Sequence, residues 1–135
     1  MGGDAIATEV LERAGAALDE RPNVAALVRA LGLSVHYGAS LPGDAALVRV
    51  GDEWRIYLRR KLPRERVAFA VAHELVEWAL RGYIGEDIET RANLGAAAIL
   101  VPRRALARLR GCTLHELAEA FKVSETLIAL REAEV

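Results

Sequence analysis

The sequence has 135 residues, of which 53% are apolar and 27% are charged, and 18 Lys+Arg against 19 Asp+Glu give a formal net charge of −1. This length fits one domain, and the near-neutral charge disfavours a protein that coats nucleic acid. The single cysteine excludes an internal disulfide, and no apolar run reaches the ~18 residues needed to cross a bilayer, so we expect a cytoplasmic protein without membrane contact.

Two helices, a strand and a loop are predicted at the start of the chain. Apolar side chains recur at helical spacing over residues 4–20 and again over 23–31, and Gly32 is expected to end the second helix with a positive φ. The spacing then changes to alternation, which predicts a short strand over residues 33–37. The Gly-, Ser-, Pro- and Asp-rich residues 38–44 predict a loop.

A β-hairpin and a central helix are predicted next. Two short runs rich in Val, Ile, Trp and Tyr, residues 46–50 and 54–58, flank a Gly-Asp-Glu turn, which is typical of a hairpin. From Pro63 to Arg81 the pattern is helical and apolar on every side, so we expect this helix in the middle of the fold. It nevertheless contains a histidine and acids, and this conflict with burial makes it the most informative part of the sequence.

Four more helices are predicted, and the last two form a helix-turn-helix-like pair. Thr113 and Glu116 make a capping box where this pair begins. The pair carries five glutamates against one lysine and one arginine, and this acidity disfavours direct nucleic-acid binding. The predicted helices span residues 87–101, 102–110, 114–121 and 124–135.

The string His73-Glu74-Leu75-Val76-Glu77 places three polar side chains on the apolar central helix. Residues four apart share a helix face with Cβ atoms about 6 Å apart, so His73 and Glu77 can converge on one metal ion. Glu74 is rotated by about 100° from His73, beside the ion, where it can take a proton from water. This is the zincin motif H-E-x-x-H with a glutamate in place of the second histidine.

A third ligand and two accessory residues are expected in the segment that follows. A catalytic metal site needs three protein ligands, and Glu89, near the start of the next apolar helix, is the candidate for the third. Asn93, one turn later, is a candidate for a hydrogen bond to a ligand, and Tyr83 for an oxyanion donor. Structural roles compete with these, since Glu89 also serves the helix dipole, Asn93 suits helix packing and Tyr83 suits a rim. If the first strand borders the cleft, His36 would supply the missing imidazole.

Three strings carry a more specific signal. They are Ala70–Leu75 around the histidine, Ile88–Asn93 with a glutamate shortly before Ala-Asn, and an Ala-rich helix over 96–102 that ends in Val-Pro. Together they resemble the ImmA/IrrE family of metallopeptidases, whose closing helix-turn-helix-like segment is similar to residues 117–131. The likeness covers roughly residues 25–135. It implies a zinc peptidase that cleaves a helix-turn-helix repressor and so relieves repression of stress, phage or mobile-element genes.

By this resemblance His73 and Glu89 are metal ligands, Glu74 is the general base, and Glu77 stands where the family has its second histidine. A carboxylate still binds Zn²⁺, at about 2.0–2.2 Å. One histidine and two carboxylates leave the ion and its ligands formally neutral, so water and carbonyl groups are activated less and Mn²⁺ or another divalent ion competes better. The alternative is a weakened or inactive module of this fold that acts as a regulatory binding partner of the repressor.

The predicted fold is α+β and zincin-like. A small antiparallel three-stranded sheet packs on a helical layer, with the metal helix at its centre. We divide the chain into a metallopeptidase domain, residues 1–111, and the helix-turn-helix-like pair, residues 112–135, packed on it.

Overall fold

The computed structural model describes residues 2–83, 85 and 87–134. Within these residues, seven helices and a three-stranded sheet confirm the predicted α+β class. The predicted end of the last helix at Val135 lies outside the described residues. The elements are α1 Gly3–Ala14, α2 Val24–Ala30, β1 Ser34–Gly38, β2 Ala45–Val50, β3 Glu53–Arg59, α3 Arg64–Ala79, α4 Ile88–Leu100, α5 Arg103–Arg108, α6 Leu114–Phe121 and α7 Glu125–Ala133.

The sheet is mixed, so the prediction of an antiparallel sheet is wrong for one of its two pairings. The hairpin pairs β2 antiparallel to β3 as predicted, but β1 lies on the other side of β3 and runs parallel to it. The loop over residues 39–44 allows this strand order, because it takes the chain from β1 across to β2 on the far side of the sheet. The hairpin then returns as β3 between them. Strand β3 is therefore central, and β1 and β2 are the two edges.

Several helix ends follow the local sequence. The helix predicted over residues 4–20 ends at Ala14, because Gly15 adopts a left-handed φ of 72° and its N–H bonds back to the carbonyl of Glu12. Gly32 has the expected positive φ, 80°. The capping box is also confirmed, with the N–H of Thr113 donating to Glu116 at 2.8 Å and the N–H of Glu116 donating to the Thr113 hydroxyl at 3.1 Å.

Helix α3 lies between the sheet and the other helices, and α4 packs closely along it. Gly95 permits this close approach, because a Cβ there would lie 2.9 Å from Cγ2 of Ile6 and 3.0 Å from Cγ1 of Val76. The packing fixes the first turn of α4 against the face of α3 that carries the polar motif. No helix in the described part of the chain is both long and apolar enough to span a membrane.

Helices α6 and α7 pack on α3 and α4 through a second apolar cluster that includes Ala72, Leu100, Phe121 and Ile128. Arg131 of α7 is fully buried and donates hydrogen bonds to the Val101 carbonyl at 3.0 Å and to the carboxylates of Asp4 and Glu134 at 2.8 Å each. These contacts join the last helix to the first one. The division of the chain at residue 111 stays a prediction.

Candidate metal centre

The polar motif lies on a face of α3 that the fold buries. His73 and Glu74 are only 9% and 7% exposed, and Glu77 is half-buried. The i, i+3, i+4 and i+7 positions of this face are Ala70, His73, Glu74 and Glu77, so the helical repeat brings all three polar side chains to the same region. One ligand atom from each of these three lies within 4.8 Å of the other two.

The two ring nitrogens of His73 have different neighbours. Nδ1 lies 2.8 Å from Oδ1 of Asn93, and because an amide oxygen only accepts, Nδ1 carries the proton and donates. Nε2 lies 3.5 Å from Oε2 of Glu77 and 3.3 Å from Oε1 of Glu89. Nε2 is therefore the ring nitrogen that faces two carboxylates, and it is the nitrogen with which His73 would ligate a metal ion.

Glu74 is the most perturbed acid of the site. Burial raises its pKa from 4.5 to about 8, and a hydrogen bond with Glu77 and the negative charges of Glu77 and Glu89 act in the same direction. Its Oε2 is buried and has no hydrogen-bond partner among the described residues. A buried carboxylate oxygen without a partner is costly unless a proton or a cation compensates it.

These observations fit a divalent cation. Ligand atoms of His73, Glu74 and Glu77 lie within 4.8 Å of one another, and Glu89 approaches Nε2 of His73 at 3.3 Å. Acidic groups thus gather around one ring nitrogen, where a cation would offset their negative charge. One nitrogen and several oxygen donors suit Zn²⁺ and, because oxygen predominates, also Mn²⁺. This donor set therefore fits a divalent metal ion.

Helix α4 supplies the two residues that approach His73 from outside α3. Glu89 lies in the first turn of α4, its side chain is largely exposed, and it reaches Nε2 of His73. Asn93 lies one turn later and holds the other nitrogen of the same ring. Both contacts depend on the close packing of α4 on α3 at Gly95. This packing brings residues 73 and 89, which are 16 positions apart in the sequence, into contact.

A cavity of about 270 Å³ opens beside these residues and reaches the edge strand β2. Sequence reasoning missed its opposite wall, which is formed by Gly43, Asp44 and Ala45, and Phe69 of α3 also lines the cavity. Asp44 is held by Arg66, with their closest atoms 2.6 Å apart. The only sequence signal for this wall was the loop before β2, which does not reveal what the loop faces.

Two other candidates, one aromatic residue and one histidine, lie elsewhere. Tyr83 is exposed beneath the guanidinium of Arg91, 5.1 Å from it, and is not among the residues that line this cavity, so its oxyanion role stays a prediction. His36 bonds to Ser34 at 2.8 Å on β1, which is the edge of the sheet away from β2. The idea that His36 supplies a second imidazole is therefore wrong, because β3 separates its strand from the strand that borders the cavity.

A family model and a solved structure are similar to this chain. A family model described as the IrrE N-terminal-like domain, a peptidase family, matches residues 25–131. No curated protein matches at a significant level. Among solved structures, a Mycobacterium tuberculosis transcriptional regulator matches with a TM-score of 0.61 and 21% sequence identity, over 95% of this chain and 45% of that one. This chain therefore spans less than half of that regulator's length, and at this identity the likeness shows the fold alone.

Proposed function

Because the chain belongs to the peptidase family of IrrE N-terminal-like domains, we propose that it is a metal-dependent endopeptidase that cleaves a helix-turn-helix repressor. Cleavage in the cytoplasm would relieve repression of stress, phage or mobile-element genes. The observation that carries this proposal is the convergence of two carboxylates on Nε2 of His73, with the buried Glu74 beside them and a cavity in front.

His73, Glu77 and Glu89 would hold the ion, Zn²⁺ or Mn²⁺, which supplies Lewis-acid polarisation of the scissile carbonyl when bound. Asn93 accepts the hydrogen bond from Nδ1 of His73 and so keeps the ring turned with Nε2 directed at the carboxylates. Asn93 thus acts on the metal site through the histidine and positions it.

Glu74 is the general base of the proposed reaction. Its carboxylate accepts a proton from the attacking water, whose oxygen bonds to the carbonyl carbon, and then passes this proton to the amine nitrogen as the C–N bond breaks. Burial alone favours the protonated carboxyl, and a divalent cation nearby favours the ionised form that the reaction needs.

Strand β2 offers a place for the substrate chain. It is an edge strand, and its first residue, Ala45, lines the cavity beside His73 and Glu74. An extended peptide can pair with the free backbone groups of such an edge, which would bring its scissile bond past the cavity.

Cleavage of repressors tests this proposal. The protein, loaded with Zn²⁺ or Mn²⁺, is incubated with helix-turn-helix repressors of its own genome, and fragments are identified by mass spectrometry. We expect cleavage by the wild type and by Glu65→Gln, which changes an exposed acid in the first turn of the same helix, and none by Glu74→Gln. Intact repressor with every metal in the wild-type sample would overturn the proposal.

Glu77 supports a second candidate, a regulatory module that binds the repressor without cutting it. A carboxylate at this position gives a less positive centre and a buried base that is protonated near neutral pH. This candidate predicts a stable complex with uncut repressor in calorimetry, unchanged by Glu74→Gln. Fragments in the cleavage assay would exclude it.

A further inference from the structure

A second and larger cavity, of about 810 Å³, lies on another side of α3. Strand β1, the segment that leads into α2, the start of α3 and the end of α6 contribute its walls. Its volume lies in the range of roughly 300–1,000 Å³ that is typical of pockets for small organic ligands. None of the polar residues of the metal centre lines it.

The cavity exists because the helices leave one edge of the sheet uncovered. Val35 and Tyr37 of β1 stand directly opposite Ile56 and Leu58 of β3, so all four side chains point to the same face of the sheet. Ile56 and Leu58 are buried, whereas Val35 and Tyr37 are 36% and 62% exposed. An apolar, inward-pointing part of the sheet is thus open to solvent.

Helix α3 separates this cavity from the metal centre. Residues 64, 67, 68 and 71 line the cavity, and residues 70, 73, 74 and 77 form the polar face. Each set follows the i, i+3, i+4, i+7 pattern, and a shift of six residues turns the helix by about 600°, which sets the two faces about 120° apart. The two sites therefore share a helix but no side chain.

Three cations and no acid line the cavity. Arg21 is half-buried and donates hydrogen bonds to the backbone carbonyls of Phe121 and Lys122, neither of which neutralises its charge. Desolvation lowers the pKa of Arg21 and no carboxylate opposes it. Among the described residues, Arg21, Arg64 and Lys122 form no ion pair. Positive charge around an apolar floor is complementary to a molecule with an apolar body and an anionic group.

We propose that this cavity is a second binding site, for a small organic anion with an apolar body such as an acyl or aryl carboxylate or sulfonate. The apolar part lies on Val35, Val67 and Val71, and the anionic group lies toward Arg64 and Lys122 at the rim. Binding here needs no metal ion and no residue of the metal centre.

Two fluorescent probes of nearly equal apolar surface test this site. 1-Anilinonaphthalene-8-sulfonate carries an anionic group, and N-phenyl-1-naphthylamine is its uncharged counterpart. We expect the wild-type protein to bind the sulfonate at least tenfold more tightly and decanoate to displace it. Arg64→Gln combined with Lys122→Asn should weaken sulfonate binding by about tenfold and change binding of the uncharged probe by less than twofold.

Matched variants show where the probe binds. Ala25→Trp places a large side chain at the rim and should abolish binding of both probes, and Arg29→Gln, an exposed cation of α2 outside the cavity, should leave both unchanged. Unfolding curves show that each variant is folded, and Arg64→Gln alone replaces the double variant if that one unfolds. Equal affinity for the two probes, or sulfonate binding that survives Ala25→Trp, would overturn the proposal. Loss of this site leaves the repressor-cleavage proposal untouched, and the reverse also holds.

Discussion

At the scale of single residues, His73 has a neighbour at each ring nitrogen, and this determines what Glu77 contributes. Asn93 occupies Nδ1, so Nε2 is the atom that faces Glu77 and Glu89. A histidine in place of Glu77 would present a neutral nitrogen where a negative oxygen now lies. The charge of the whole centre would rise by one unit, with no change in the backbone.

We expect Glu77→His to shift metal preference toward Zn²⁺ and to raise kcat/KM for repressor cleavage by at least tenfold, because a more positive centre polarises the carbonyl more strongly. Competition between Zn²⁺ and Mn²⁺, followed by elemental analysis, measures the first effect. Glu77→Gln is the control, since it removes the charge without adding an imidazole. An unchanged metal preference in Glu77→His would show that residue 77 is not a ligand.

Glu74 gives a pH prediction for the metal-free protein. Its folded pKa of about 8 lies above the ordinary value of 4.5, so the folded state holds a proton that the unfolded state releases. The free energy of unfolding should therefore decrease as pH rises from about 4.5 to about 8. Above about pH 8, Glu74 should cause no further change in this free energy. Urea unfolding of the chelator-treated protein at pH 5 and pH 8 measures this. Glu74→Gln should flatten the dependence and Glu65→Gln should not; parallel curves for wild type and Glu74→Gln would contradict the pKa shift.

At the scale of elements, the metal centre depends on how closely α4 approaches α3. Gly95 has no room for a Cβ beside Ile6 and Val76, and the same helix carries Glu89 and Asn93 to His73. A change of packing at residue 95 therefore acts at a distance on the contacts of the histidine.

Gly95→Val should destabilise the protein by about 1–3 kcal/mol, because overpacked side chains force α4 away from α3. The same displacement should weaken Zn²⁺ binding, which a titration with a competing chelator measures alongside urea unfolding. Gly2→Ala is the control, since a Cβ at residue 2 meets nothing within 4 Å. Unchanged stability together with unchanged Zn²⁺ affinity would contradict this account of the packing.

The local sequence determines some parts of the fold, whereas other parts depend on contacts between distant residues. The hairpin, the capping box of α6 and the turn at Gly32 were predictable, because each depends on residues a few positions apart. The parallel pairing of β1 was not, since an alternating strand looks the same in either direction. The exposure of Val35 and Tyr37 was equally unpredictable, because an alternating pattern identifies a face of the sheet but not whether another layer covers that face.

The candidate site also has a part that the local sequence predicts and a part that it does not. The helical repeat alone predicts that His73, Glu74 and Glu77 share a face, and they do lie together. Asp44 was missed because the loop before β2 meets α3 only through the tertiary fold. His36 was misjudged for the same reason, since strand order depends on contacts far apart in sequence.

At the scale of the whole molecule, Arg131 joins the last helix to the first. Its guanidinium is fully buried and meets Asp4 of α1, Glu134 beside α7 and the carbonyl of Val101. Asp4 and Arg131 are 127 positions apart, so this one side chain connects the two ends of the fold.

Arg131→Ala should lower the free energy of unfolding by about 2–5 kcal/mol, because it leaves a cavity in place of a fully buried side chain and removes one of two cationic partners of Asp4 and Glu134. Arg104→Ala, an exposed cation of the neighbouring α5, should change it by less than about 0.5 kcal/mol. Urea unfolding measures both variants. A loss below about 1 kcal/mol for Arg131→Ala would contradict this role of the buried side chain.

The bond between Asp4 and Arg131 spans 127 positions of the chain, and this has a consequence for synthesis on the ribosome. The carboxylate of Asp4 in the first helix has to wait for this partner until the ribosome has made residue 131. The fold therefore cannot close step by step from its first helix, and closure needs the last helix to have left the ribosome. Shortening the chain before residue 131 should leave it open to proteases, whereas additions beyond residue 134 would leave this closure intact.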